Sequence, residues 1–396
     1  MDISFSNTVR KLRENKNITI EQIRLYFCLS TEAYICIENG AKYPTCFMLD
    51  KLSDLFNVSV NYLLTGVHYY DNIAVEQLPL TSKDSFSLWL YKYIYSKRSD
   101  VGYNQICSYH TSSQRILAFI GSKPLDGIVK EDISFLLKRN TKCSKRTLKA
   151  FKGLIKQVFE YAIDCREYNY NPALTAKIPK NAADAVETKN VSSDMTKIIL
   201  EFHHEFQLPA VIMLLAGLRR GELLALKYSD IHLRKGYISI NKVVEFQHGS
   251  PVLRLNDAKT ESGIRKVFLP KTLQFFIGSY ISNCPFIKGD DYVVHNKEGG
   301  LVCLSTYRRK WNKYIKDLNS YSYNKAIKET FTSKQLRHTY ATMLYKSKLD
   351  LLTTKSQLGH KNSKTTLDFY CHLDDKYKEN KINDFDNFLV SNNLNV

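Results

Sequence analysis

The chain has 396 residues, enough for two or three domains that each bury a core without disulfide staples. Its 57 Lys and Arg against 39 Asp and Glu give a formal net charge of +18, which makes an anionic polymer the first partner to consider. No apolar run approaches the ~20 residues of a membrane span, the N-terminus lacks a secretory core, and the nine cysteines form neither a CxxC pair nor a set with histidines at zinc spacing. Membrane, secreted and metal-centred classes are therefore set aside. The expectation is a cytoplasmic, nucleoid-associated protein with reduced thiols and no metal.

Residues 1–66 place apolar side chains at helical spacing (Val9, Leu12; Ile20, Ile23, Phe27; Leu49, Leu52, Phe56; Leu63, Leu64), which predicts four or five short helices. Breaks are expected at 14–17, 28–30 and 38–45, with Thr19 and Ser30 as N-caps. The strings VRKLRENKNITIEQI, IENGAKYP and LSDLFNVSVNYLLTG resemble the phage-repressor (Cro/CI-like) helix-turn-helix domain. Arg24 and Cys28 stand where that family usually has a small Ala and a turn Gly. The expected recognition helix, 31–37, offers Thr31 and Tyr34 to DNA but no Arg, Lys, Asn or Gln for bidentate base contacts. DNA reading and protein docking both stay open for this domain.

Residues 67–84 lose the helical period and read as a linker. A second helical region spans 85–177, with helix starts signalled by Ser85, Thr111 or Ser112, and Ser144. It resembles the core-binding domain of tyrosine recombinases, an all-helical module that closes over one face of DNA. Within it Lys138, Arg139, Lys142, Lys145, Arg146, Lys149 and Lys152 cluster with no acidic residue among them, a face suited to phosphates; Lys142, Lys145, Arg146 and Lys149 are the chosen DNA contacts. A further linker, 178–190, leads into the region 191–396.

That last region carries four segments in order: AGLRRGELLAL (216–226), AKTESGIRKVFLP (258–270), KQLRHTYATML (334–344) and QLGHKNSKTTLDFYCHL (357–373). Together they resemble the catalytic domain of the tyrosine recombinases, or phage integrases. The fold class expected is multidomain and mainly α, with a mixed α/β catalytic domain holding a small antiparallel sheet.

Breaking and rejoining a phosphodiester without a metal needs a nucleophile, cations for the phosphoryl oxygens, and an acid for the leaving oxygen. The resemblance makes Tyr370 the nucleophile that forms a covalent 3′-phosphotyrosine, Arg219 and Arg337 the phosphate clamp, and Lys259 the general acid, with Lys266 its local rival. It also makes His360 a hydrogen-bond donor to the scissile phosphate. Glu222, three residues after Arg219, would hold that guanidinium fork toward a phosphate. The alternation around Lys259 predicts a β-hairpin. Lys334 departs from the family, which usually has a histidine there, and is read as an electrostatic substitute on the face of Arg337.

The function expected is site-specific strand exchange for a mobile element, by a homotetramer on double-stranded DNA, with room for an accessory directionality factor and no cofactor. A transcriptional regulator with a decayed recombinase domain, a DNA invertase, and a type IB topoisomerase-like activity stay as alternatives. The apolar Phe388, Leu389 and Val390 near the end could dock on a neighbouring protomer or on their own chain.

Overall fold

The computed structural model describes residues 3–184, 189–255, 264–322, 327–347 and 349–359. Lys259, His360 and Tyr370 lie outside the described residues, as does the C-terminal apolar tail. The chain divides into two compact units, Met1–Val186 and Glu187–Val396.

The first unit is all helical. Its N-terminal part contains α1 (Ile3–Asn15), α2 (Ile20–Tyr26), α3 (Thr31–Glu38), α4 (Cys46–Phe56) and α5 (Val60–Thr65). Thr19 caps α2 in a capping box with Gln22, and the Ser30 side chain accepts the Ala33 N–H to start α3, as the sequence predicts. Cys28 adopts φ 53°, a left-handed conformation that costs a side-chain-bearing residue roughly 1 kcal/mol. The segment 67–84 is packed rather than loose: Val75, Leu78 and Leu80 are buried, and Lys92 Nζ donates to the Leu78 carbonyl at 2.6 Å.

Four longer helices complete this unit: α6 (Phe86–Ser96), α7 (Tyr103–Ile120), α8 (Lys130–Arg139) and α9 (Lys145–Asp164). The start expected at Thr111 or Ser112 falls inside α7. There the Thr111 hydroxyl donates back to the Cys107 carbonyl at 2.9 Å, and Ser112 is buried, so neither residue caps. Ser144 caps α9 as expected. One continuous apolar core runs from Phe5 and Tyr34 through Trp89 to Phe159. Polar ties cross it too: Tyr91 donates to the Pro44 carbonyl at 2.8 Å, the Cys46 N–H to His110 Nε2 at 3.2 Å, and Arg98 pairs with Asp50. The N-terminal helices are thus built into the helices that follow them.

The second unit mixes helices with two small antiparallel sheets. Its elements are α10 (Ser193–Glu201), α11 (Gln207–Ala216), α12 (Arg220–Ala225), β1 (Ile231–His232), β2 (Tyr237–Ile240), β3 (Lys242–Gln247), β4 (Ser250–Leu255), β5 (Arg265–Phe268), α13 (Lys271–Ser282), α14 (Leu304–Tyr321), α15 (Ser333–Lys346) and α16 (Leu351–Leu358). The apolar α11 is buried along nearly its whole length. Strands β1, β2 and β5 form one sheet and β3 with β4 the other.

The first arm and turn of the hairpin expected over 258–270 lie outside the described residues. Among the described residues β4 pairs with β3, and β5, its second arm, with β2, with Ile240 opposite Arg265. The hairpin of this region is β3–β4, closed by His248 and Gly249, both at positive φ as a two-residue turn requires.

Candidate active site

Arg219 enters the site through two local devices. Helix α11 ends at Gly217, whose φ of +64° and the Tyr340 ring pressed against it leave no room for a side chain. Arg219 then sits in extended conformation as N-cap of α12, and Glu222 reaches back to accept its backbone N–H at 2.8 Å. The i, i+3 spacing of Arg219 and Glu222 is therefore first a helix start. The carboxylate so placed is only 5% exposed and receives Arg219 Nη1 at 2.8 Å.

Two more arginines converge there. Arg265, on β5, grips Glu222 with both Nη atoms at 2.9 Å each, and this pair is buried. Arg337, on α15, donates to the carbonyls of Gly217 and Leu358, while Arg219 Nη2 donates to the Gly359 carbonyl at 2.5 Å. Gly359, at φ +61°, lies so close to the Arg265 guanidinium that a Cβ would collide with it. Four stretches distant in sequence thus meet around one glutamate.

The electrostatics of the cluster are lopsided. Burial would raise the Glu222 carboxyl, but the Arg265 bonds and the charges of Arg265, Arg219 and Arg337 overcome it and hold the group down at about 2. Burial and the neighbouring Arg219 push the Arg337 guanidinium down to about 9, against the pull of Glu222. Among the described residues three guanidiniums share one carboxylate, so this part of the cluster carries about two unmatched positive charges. An oxyanion is the ligand that such a deficit favours.

Arg220 turns away from this cluster and lies over the rings of Phe246 and Tyr307, at 5.5 and 5.7 Å. Lys334 lies exposed in the first turn of α15, three residues before Arg337, and makes no ion pair among the described residues. His338 meets the Asn190 side chain at 2.7 Å.

Arg265 was not singled out among the site residues in the sequence. Its signal is the strand period: in the β5 run, Arg265 and Val267 are buried while Lys266 and Phe268 face out. An arginine in phase with a buried valine must have an internal partner. Lys266, the rival to Lys259, instead lies 4.9 Å over the Tyr237 ring.

In the first unit Lys142, Arg146 and Lys149 are exposed. Lys145 is partly neutralised by Asp184 at 2.7 Å, an acid supplied from outside the run, and Lys152 donates to the carbonyls of Leu174 and Ala176. Of the two residues expected on the recognition helix, Thr31 is partly exposed. Tyr34 is fully buried in the core beside Arg13 and Glu38, so the expectation that it touches DNA is corrected: no surface of the ring is available. None of the described helices is long and apolar enough to cross a membrane.

Residues 188–377 match the phage integrase family. A tyrosine recombinase XerC-like protein of Caldanaerobacter subterraneus subsp. tengcongensis is 27% identical over 274 residues, 62% of this chain and 67% of that protein. Transposase A from transposon Tn554 of Staphylococcus aureus is 26% identical over 249 residues, 60% of this chain and 62% of its own length. The chain thus spans about two thirds of the length of these relatives. Among solved structures, the Tn1549 transposon integrase in complex with transposon right end DNA shares the fold with a TM-score of 0.62, at 23% identity, over 76% of this chain and 98% of that one. The family match, the relatives and the shared fold agree that residues 188–377 form a domain of the phage integrase family, the tyrosine recombinases.

Proposed function

We propose that this chain cuts and rejoins double-stranded DNA at specific sites, integrating and excising a mobile element, through a covalent 3′-phosphotyrosine. The observation that carries the reading is the surplus positive charge of Arg219 and Arg337 around Glu222. The Tyr370 phenolic oxygen attacks the scissile phosphorus, and the bond from phosphorus to the 5′ oxygen breaks. Arg219 and Arg337, helped by His360 and Lys334, hold the phosphoryl oxygens as negative charge builds. Lys259 gives its proton to the departing 5′ oxygen. Attack by a 5′-hydroxyl from the partner duplex reverses these steps, frees Tyr370 and needs no outside energy, because the phosphotyrosine conserves the bond.

Lys142, Arg146 and Lys149 would lie along the flanking phosphates, and four copies would bring two duplexes together. In this reading the chain keeps three functional parts, 1–66, 85–177 and 191–396, joined by the segments 67–84 and 178–190.

The test is a suicide DNA substrate. Tyr370→Phe should bind it and give no covalent complex on a denaturing gel, whereas residual adduct would overturn the assignment. Lys334→Ala should slow adduct formation; a rate equal to the parent's would remove Lys334 from the site. Relaxation of a plasmid without sites, in the absence of recombination on a two-site plasmid, would favour topoisomerase-like activity instead.

A further inference from the structure

We infer that Arg265 is a positioning residue that keeps Glu222 occupied, so that Glu222 aligns Arg219 without neutralising the phosphate-binding pair. The inference rests on the function proposed above for Arg219 and Arg337.

The argument starts from the acceptor capacity of the carboxylate. Two carboxylate oxygens offer about four acceptor positions. In this site Oε1 takes Arg219 Nη1 and Arg265 Nη1, while Oε2 takes the Arg219 backbone N–H and Arg265 Nη2. All four positions are in use, and Arg265 holds one on each oxygen. Arg219 can therefore engage Glu222 with only one of its two outer nitrogens, and its other one turns to the Gly359 carbonyl.

Removing Arg265 would free one acceptor position on each oxygen. The side chain facing them is Arg219, whose planar fork suits bidentate pairing with a carboxylate. Glu222 would then take both Arg219 nitrogens, and the cluster would fall from about two unmatched positive charges to one. Arg265 itself is buried beneath Gly359 and only 5% exposed at the side chain, so its part is played through Glu222 rather than on the phosphate.

A merely structural role and this one predict different things for a second substitution. With Arg265→Gln, adduct formation on the suicide substrate should slow by roughly 100-fold, the scale of a lost preorganised donor. Adding Glu222→Gln removes the competing charge while keeping an amide oxygen for the Arg219 backbone N–H. The double variant should recover to within roughly 10-fold of the parent. A double variant no faster than Arg265→Gln alone overturns the inference.

Should Arg265→Gln fail to fold, Arg265→Lys takes its place: it keeps the charge count, and an adduct rate more than roughly 100-fold below the parent at an unchanged melting midpoint also overturns the inference. Titration with inorganic sulfate, followed by calorimetry, gives a second readout that needs no reaction. Sulfate affinity should fall in Arg265→Gln and return in the double variant, and the opposite ranking overturns the inference. A parent that binds sulfate in this order but forms no adduct contradicts the proposed function while supporting the role of Arg265.

Discussion

Each unit of this protein buries a glutamate against arginines, and the two clusters are built to opposite ends. In the N-terminal bundle Glu38, only 3% exposed, receives Arg13 Nη2 at 2.8 Å, with Arg10 Nε at 3.9 Å; the remaining Arg13 donors include one to the Ile18 carbonyl at 3.1 Å. The hydrogen bond to Glu38 raises the Arg13 guanidinium above its usual value, despite the opposing effect of burial. In the second unit burial and Arg219 lower Arg337 to about 9. At Arg13 the bond to Glu38 outweighs burial, whereas at Arg337 burial and its like-charged neighbours outweigh Glu222. The first cluster braces α1 to α3, whereas the second is shaped for an anion from outside.

Arg337→Ala should give the largest effect, a fall of at least roughly 1,000-fold in adduct formation. It should cost little stability, because repulsion from Arg219 and Arg265 disappears with it. A melting midpoint that drops as far as that of Arg13→Ala would erase the contrast between the clusters. Arg13→Ala leaves Glu38 buried without its main partner and should destabilise the chain by about 3 kcal/mol. Its adduct rate per folded molecule should stay at the parent value.

Acid should separate the units in a third way. The Glu222 carboxyl is lowered from 4.5 to about 2 in the folded chain, so its contribution is complete above about 4.5 and is lost as pH falls toward 2. The loss amounts to about 3 kcal/mol. The two tryptophans, Trp89 and Trp311, lie one in each unit. Fluorescence of a chain with Trp89→Phe should report this transition through Trp311, and Glu222→Gln should flatten its pH dependence.

The smallest effects concern the basic face around α9. Replacing Lys142, Arg146 and Lys149 together by Ala should reduce the slope of log affinity against log salt by about 2 to 3, one phosphate contact each. Lys145→Ala should change that slope by less than about 1, since Asp184 already pairs with it. A larger loss from Lys145 than from the triple variant would place the DNA path elsewhere.

The helical character of both units, the caps at Thr19, Ser30 and Ser144, and the partnership of Arg219 with Glu222 were legible because each depends on neighbours a few residues apart. The β4 and β5 pairings were not, since a strand's partner is set by long-range packing that a local alternation does not encode. Arg265 was hidden for the same reason: its partner lies 43 positions away. Tyr34 illustrates the converse. Its place on the expected recognition helix says nothing about which side of that helix meets the core, and the packing beside Arg13 and Glu38 decides it. Charge adds a further point about the N-terminal part, where residues 1–66 contain seven Lys and Arg against seven Asp and Glu, in a chain of net +18. The electrostatic attraction to DNA therefore resides in the rest of the chain.

The carbonyls of Gly217, Leu358 and Gly359 hold donors of Arg337 and Arg219 that a phosphate would also use. Anion capture at this pair would thus exchange neutral carbonyl acceptors for charged oxygens, and its net free energy would be the difference between the two sets of bonds. The carbonyl bonds given up would offset part of the gain from a lone phosphate. In the function proposed above, the rest of the duplex would supply the remaining engagement, and the arginine pair would act as a checkpoint for correctly seated DNA.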